Sequence, residues 1–165
     1  MSPVTIKHPT HAELVERAAR WLKSFGCGVV FDDRFQARTS SGEKPDALGF
    51  KSGVSILIEC KATRADFLAD KKKKVRQHPE LGVGDWRFYL CPTGVIKPEE
   101  LPKGWGLLYY EGRSVKKITG IPNNALLERG KPFSGNAEDE QRILYSALRR
   151  VVLRGHFDCV YEPAN

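Results

Sequence analysis

The chain has 165 residues, is 41% hydrophobic and carries a net charge of +7 at neutral pH, which describes one globular domain and excludes a disordered or fibrous chain. The basic excess points to a polyanionic partner, nucleic acid first. No apolar run is long enough to span a membrane, and the opening MSPVTIKHPT lacks the apolar segment of a secretion signal, so a cytoplasmic protein is expected. Cys27, Cys60, Cys91 and Cys159 form no CxxC pair; a zinc knuckle is therefore not expected, and the thiols are expected to be reduced.

Residues 1–9 read as an arm. Thr10-His11-Ala12-Glu13 fits a capping box, so a helix starts there. Leu14, Ala18, Trp21, Leu22 and Phe25 make its apolar stripe, Glu16 lies opposite, and Gly26 and Gly28 end it. A first strand is expected over residues 29–35. Residues 36–44 form a polar loop, where Arg38 and Lys44 are either solvated or in contact with phosphate.

The next stretch, KPDALGFKSGVSILIECK over residues 44–61, reads as two strands, 46–50 and 54–61, joined at Lys51-Ser52-Gly53. Alternation puts Ser55, Leu57, Glu59 and Lys61 on one face and Ile56, Ile58 and Cys60 on the other; Glu59 and Lys61 are then roughly 7 Å apart along the strand. One reading makes Glu59 and Lys61 a solvated ion pair worth little. The sharper reading starts from the hairpin, which brings Asp46 close to Glu59. Neighbouring carboxylates raise each other's pKa unless a cation sits between them. Oxygen ligands of this kind suit Mg²⁺ or Mn²⁺, with the Cys60 carbonyl as a third donor. Lys61 would lie within reach of a water or a phosphate oxygen.

Thr63 and Asp66 open a helix expected to run to about His78. It carries Lys71, Lys72, Lys73, Lys74 and Arg76, and Lys71, Lys72, Lys74 and Arg76 are candidates for holding a DNA backbone. Turns over 79–85 lead to a strand at 86–91. A short helical turn at Pro98-Glu99-Glu100 precedes a hairpin of strands 106–110 and 114–118, and residues 119–135 are loop-like. Asn136 caps a last helix with Glu138, Asp139 and Glu140 in its first turn, Arg149, Arg150 and Arg154 near its end, and Gly155 as its stop. Ile143, Leu144, Ala147, Leu148 and Val151 form its apolar face. The tail HFDCVYEPAN is expected to add an edge strand.

Pro45-Asp46, twelve intervening residues and Glu59-Cys60-Lys61 resemble the PD-(D/E)xK nuclease signature. The order helix, strand, hairpin, helix, strand over about residues 9–91 is similar to that superfamily's αβββαβ core, with 92–165 as a hairpin and helix extension of a single domain. A longer likeness is to MmcB-type DNA-repair proteins, through Ala65-Asp66-Phe67-Leu68-Ala69-Asp70 and Lys72, Asp85-Trp86-Arg87-Phe88-Tyr89, and Leu101-Pro102 through Gly106-Leu107-Leu108. The chain departs from them at Lys73, where they carry an aromatic.

The resemblance implies an α/β, restriction-endonuclease-like fold and a Mg²⁺- or Mn²⁺-dependent DNA nuclease. Asp46, Glu59 and the Cys60 carbonyl would hold the metal, Lys61 would position or deprotonate a metal-bound water or stabilise the extra charge on the phosphate, and the products would carry a 5′-phosphate. Family members often add an acid from the first helix, for which Glu13 and Glu16 are candidates; His11 either faces the site or is simply packed. Many members dimerise, so the resemblance admits a homodimer. The alternatives are a nucleic-acid-binding protein that cuts nothing and an interaction subunit of a DNA-repair complex.

Overall fold

A computed structural model describes residues 8–123 and 126–163. Its elements in chain order are helix α1 (His11–Ser24), strands β1 (Val29–Asp32), β2 (Ala47–Lys51) and β3 (Val54–Cys60), helices α2 (Arg64–Asp70) and α3 (Lys74–Gln77), strands β4 (Trp86–Pro92), β5 (Gly106–Glu111) and β6 (Ser114–Thr119), and helix α4 (Ala137–Leu153). The fold is α/β. One six-stranded mixed sheet runs in sequence order from β1 to β6. The outer pairs are antiparallel, while β3–β4 and β4–β5 are parallel.

The two central strands, β3 and β4, are buried along their whole length, as expected of parallel strands covered on both faces. Alternation then divides the core. Ile56, Ile58, Cys60, Phe88 and Leu90 pack under α1 against Leu14, Ala18, Trp21 and Leu22. Leu57, Tyr89, Cys91 and Leu107 face the other way, onto Phe67 of α2, Trp105 and Ile143 of α4. Gly49 lets α1 close on the sheet: a Cβ there would stand 2.7 Å from the Cys27 sulfur. Gly53, at φ +74°, makes the β2–β3 turn.

The capping box expected at Thr10 and Glu13 forms, and Thr63 and Asp66 make a second one at the start of α2. Three expected elements differ. The first strand stops at Asp32, because that carboxylate turns back to accept the backbone and side-chain N–H groups of Arg34. The basic helix is broken between Asp70 and Lys74 into α2 and α3. In one continuous helix Asp70 and Arg76, six residues apart, would point about 120° apart around the axis; the break lets them meet. The tail forms a short 3-10 helix, Phe157–Tyr161, not an edge strand. Among the described residues no helix is long and apolar enough to cross a membrane, and Cys27, Cys60, Cys91 and Cys159 are free thiols.

Candidate active site

The β2–β3 register sets Ala47 opposite Ile58; continued beyond the ladder it puts Asp46 opposite Glu59 and, two steps on, Pro45 opposite Cys60. The Lys61 N–H donates to Leu90 of β4 at 2.9 Å, which turns the N–H and C=O of Cys60 toward β2. There Asp46 Oδ2 accepts the Cys60 N–H at 2.8 Å. Pro45 has no N–H to offer, so the Cys60 carbonyl lacks its ladder donor. The Pro-Asp pair thus pins one carboxylate beside Glu59 and gives the Cys60 carbonyl no N–H from Pro45.

The second Asp46 oxygen lies 3.3 Å from His11 Nε2, and the same imidazole stands 3.9 Å from Asp33. Burial first, then the nearby Glu59 carboxylate, push the Asp46 carboxyl up from 3.8 to about 6, against the Cys60 N–H bond that favours the anion. Asp46 also borders a cavity of about 110 Å³ walled by Phe31, Phe35, Leu48 and Ile143, with Lys44 at its rim. Glu59 is not on that wall.

Glu59, with its side chain only 2% exposed, sits in a buried ion cluster. Its Oε2 is 3.1 Å from Lys61 Nζ, 3.2 Å from Arg76 and 3.5 Å from Lys73. Asp70 takes the same three cations, at 3.0 Å from Lys61, 2.9 Å from Lys73 and 2.7 Å from Arg76, and accepts the Tyr89 hydroxyl at 2.7 Å. Arg76 also reaches Glu43 at 3.1 Å and lies over the Trp105 ring. Glu43 is held in turn by the Val83 N–H. Three acids and three cations balance.

Burial works against the charge on Asp70, yet Arg76 and Lys61 outweigh it and hold the carboxyl well below its ordinary range. Burial likewise works against charge on Lys61, but Glu59 and Asp70 raise its pKa above the ordinary value, so the ammonium persists. Burial, then the Asp70 anion, keep the Tyr89 phenol protonated.

Among the described residues three buried atoms, Asp70 Oδ1, Arg76 Nη2 and Glu59 Oε1, have no hydrogen-bond partner; ion pairs meet the first two, and Glu59 Oε1 is left over. An orphaned carboxylate oxygen is costly unless a cation meets it. Among the described residues no three His, Cys, Asp or Glu side chains converge as a metal site. The set available is two carboxylates and a carbonyl, all hard oxygen donors. That set fits Mg²⁺ or Mn²⁺ with water filling the remaining positions.

The remaining candidates fall in different places. Of the first-helix residues, His11 reaches Asp46, Glu13 closes the cap on Thr10 and Glu16 pairs with Arg20 on an exposed face. Lys72 and Lys74 are exposed, as is Lys71, whose ammonium lies 4.7 Å from the Phe67 ring centre. Arg38 is exposed beside α4. Arg76 requires a correction: its side chain is 3% exposed and consumed by Glu43, Glu59 and Asp70, so it presents no charge to a DNA backbone.

Asp70, Lys73, Tyr89 and Glu43 join the cluster without having been foreseen. Asp70 left a readable signal, since it follows the buried Phe67 by three residues and so shares its helix face. Lys73, at the position where the MmcB-type resemblance breaks down, reaches both Glu59 and Asp70. Lys73, Tyr89 and Glu43 left no such signal.

Neither a protein-family model nor a curated protein matches the sequence. Among solved structures, the chain is similar to a protein of unknown function from Silicibacter pomeroyi, with 25% identity and a TM-score of 0.58, over 92% of this chain and 94% of that one. That likeness extends across nearly the whole of both chains and names no activity.

Proposed function

We propose that this protein is a metal-dependent DNA nuclease of the PD-(D/E)xK type. The observation that carries the reading is the shared environment of Asp46 and Glu59, in which one carboxyl is pushed up to about 6 and the other keeps a buried oxygen with no hydrogen-bond partner among the described residues. Asp46, Glu59 and the Cys60 carbonyl would hold Mg²⁺ or Mn²⁺, which when bound supplies charge neutralisation at the phosphate and a more acidic water. Lys61 serves as a fixed positive charge for the developing phosphate negative charge. A base role is disfavoured, because Glu59 and Asp70 keep it protonated. Asp70, itself fixed by Tyr89, positions that ammonium. Exposed Lys71, Lys72 and Lys74 and cavity-rim Lys44 supply sequence-independent attraction for the backbone. Four free thiols suit a reducing compartment, consistent with the cytoplasm.

A second reading rests on a specific observation. Glu59 is almost sealed, and three cations already surround its other oxygen. A protein that binds nucleic acid with a silenced site would look the same. The discriminating experiment incubates supercoiled, linear, single-stranded and branched DNA with Mg²⁺ or Mn²⁺, comparing wild type with Glu59→Ala and Lys61→Ala. Cleavage by wild type alone supports the nuclease. Binding without cleavage of any substrate supports the silent form, and cleavage that survives both substitutions refutes this site.

A further inference from the structure

The outer face of α4 carries charge and an aromatic ring that the cluster around Glu59 does not use. Arg142, Tyr145, Ser146 and Arg149 recur at i, i+3, i+4 and i+7 and so share one helix face. With Arg38 and Arg150 they line a groove of about 420 Å³. Tyr145 is 60% exposed and, among the described residues, makes no ring or hydrogen-bond contact. Arg38 and Arg149 likewise form no ion pair among the described residues. Arg142 is paired with Glu138 at 2.7 Å.

The groove is held in shape from below. Arg150 donates to the Gln36 carbonyl at 2.9 Å and lies 4.4 Å from the Phe35 ring centre. On the other side of the loop, Asp139 accepts the backbone N–H and hydroxyl groups of both Ser40 and Ser41. The loop bearing Arg38 is therefore tied to α4 at both ends. It is also a shared wall: Ala37 lines the cavity beside Asp46, and its neighbour Arg38 lines the groove.

We infer that this groove binds single-stranded nucleic acid, with Arg38 and Arg149 on successive phosphates and a base stacked on Tyr145. Four arginines against a single paired acid select a polyanion. The projecting ring selects single strands, because an unpaired base offers a free π-face that a duplex keeps stacked. The inference does not require the nuclease reading, since binding needs neither Asp46 nor Glu59.

The test is fluorescence anisotropy in metal-free buffer containing a chelator, with a labelled oligo-dT and a blunt-ended two-strand duplex as probes. Tyr145→Ala is expected to weaken oligo-dT binding at least about fivefold, to leave duplex binding unchanged, and to be rescued by Tyr145→Phe. The Arg38→Ala/Arg149→Ala double variant is expected to lower the slope of log K against log salt by about 1.4 for oligo-dT. The chelator removes the divalent ion that cleavage needs, so these measurements separate this proposal from the fate of the catalytic one. Two results overturn it. One is unchanged oligo-dT binding in both the Tyr145→Ala and the double-arginine variant. The other is a dimer seen by sedimentation equilibrium that Tyr145→Ala dissociates while oligo-dT affinity stays the same.

Discussion

Replacing Asp46 by Asn tests the electrostatics of the site without disturbing its shape. The amide oxygen can still accept the Cys60 N–H now taken by Asp46 at 2.8 Å. What disappears is a buried negative charge beside Glu59. The Asp46 carboxyl rises from 3.8 to about 6 on folding, so the folded protein holds that proton more tightly than the unfolded chain. A raised carboxyl contributes stability that is complete below about pH 4 and lost as pH climbs through 6. At pH 8 the ionised side chain therefore costs the native state up to about 3 kcal/mol, and at pH 5 about half of that. Asp46→Asn should remove this cost. In urea denaturation without metal, the variant should be more stable than wild type by roughly 1–3 kcal/mol at pH 8, with the gain shrinking at pH 5. A side chain whose replacement stabilises the protein is one retained for function. A variant less stable than wild type at pH 8, or one whose gain does not change with pH, would refute the reasoning.

Arg76→Ala leaves Glu43, Glu59 and Asp70 short of a buried cation and should cost about 3–5 kcal/mol in urea, whereas Lys72→Ala, on the surface, should fall within about 0.5 kcal/mol of wild type. Tyr89→Phe removes one hydroxyl bond to the Asp70 anion and should cost about 2 kcal/mol by the same measurement. Asp70 has the opposite sign to Asp46. Its depressed carboxyl contributes stability that is present above pH 3.8 and lost as pH falls below it. Wild-type stability should therefore drop in that acid window, and the drop should be shallower in Asp70→Asn.

The part of the site legible in the sequence is the part governed by short-range geometry. Strand alternation put Glu59 and Lys61 on one face, and a two-residue turn at Ser52-Gly53 fixed the register that brings Asp46 across to Cys60. The capping box at Thr10 depends on a spacing of three residues and forms as expected, and the helix start read at Thr63 and Asp66 is closed by a second box. Arg76 was misplaced because a lysine-rich run looks like a solvated face, and nothing local announces that its acids lie 33, 17 and 6 residues upstream, at Glu43, Glu59 and Asp70. The break after Asp70 follows from that same long-range pairing.

At α4 the apolar periodicity was real, but Ile143 alone of its apolar residues becomes fully buried, while Leu148 stays half exposed. Periodicity identifies a face and not what covers it. The edge strand expected of the tail fails because so short a segment does not separate a strand from the 3-10 helix it forms.

The most direct test of the central claim is anomalous diffraction from crystals soaked in Mn²⁺. The account predicts one strong peak in contact with Asp46, Glu59 Oε1 and the Cys60 carbonyl, lost in Glu59→Ala crystals. No peak there in the wild-type protein, with Glu59 still enclosed by Lys61, Lys73 and Arg76, would contradict it.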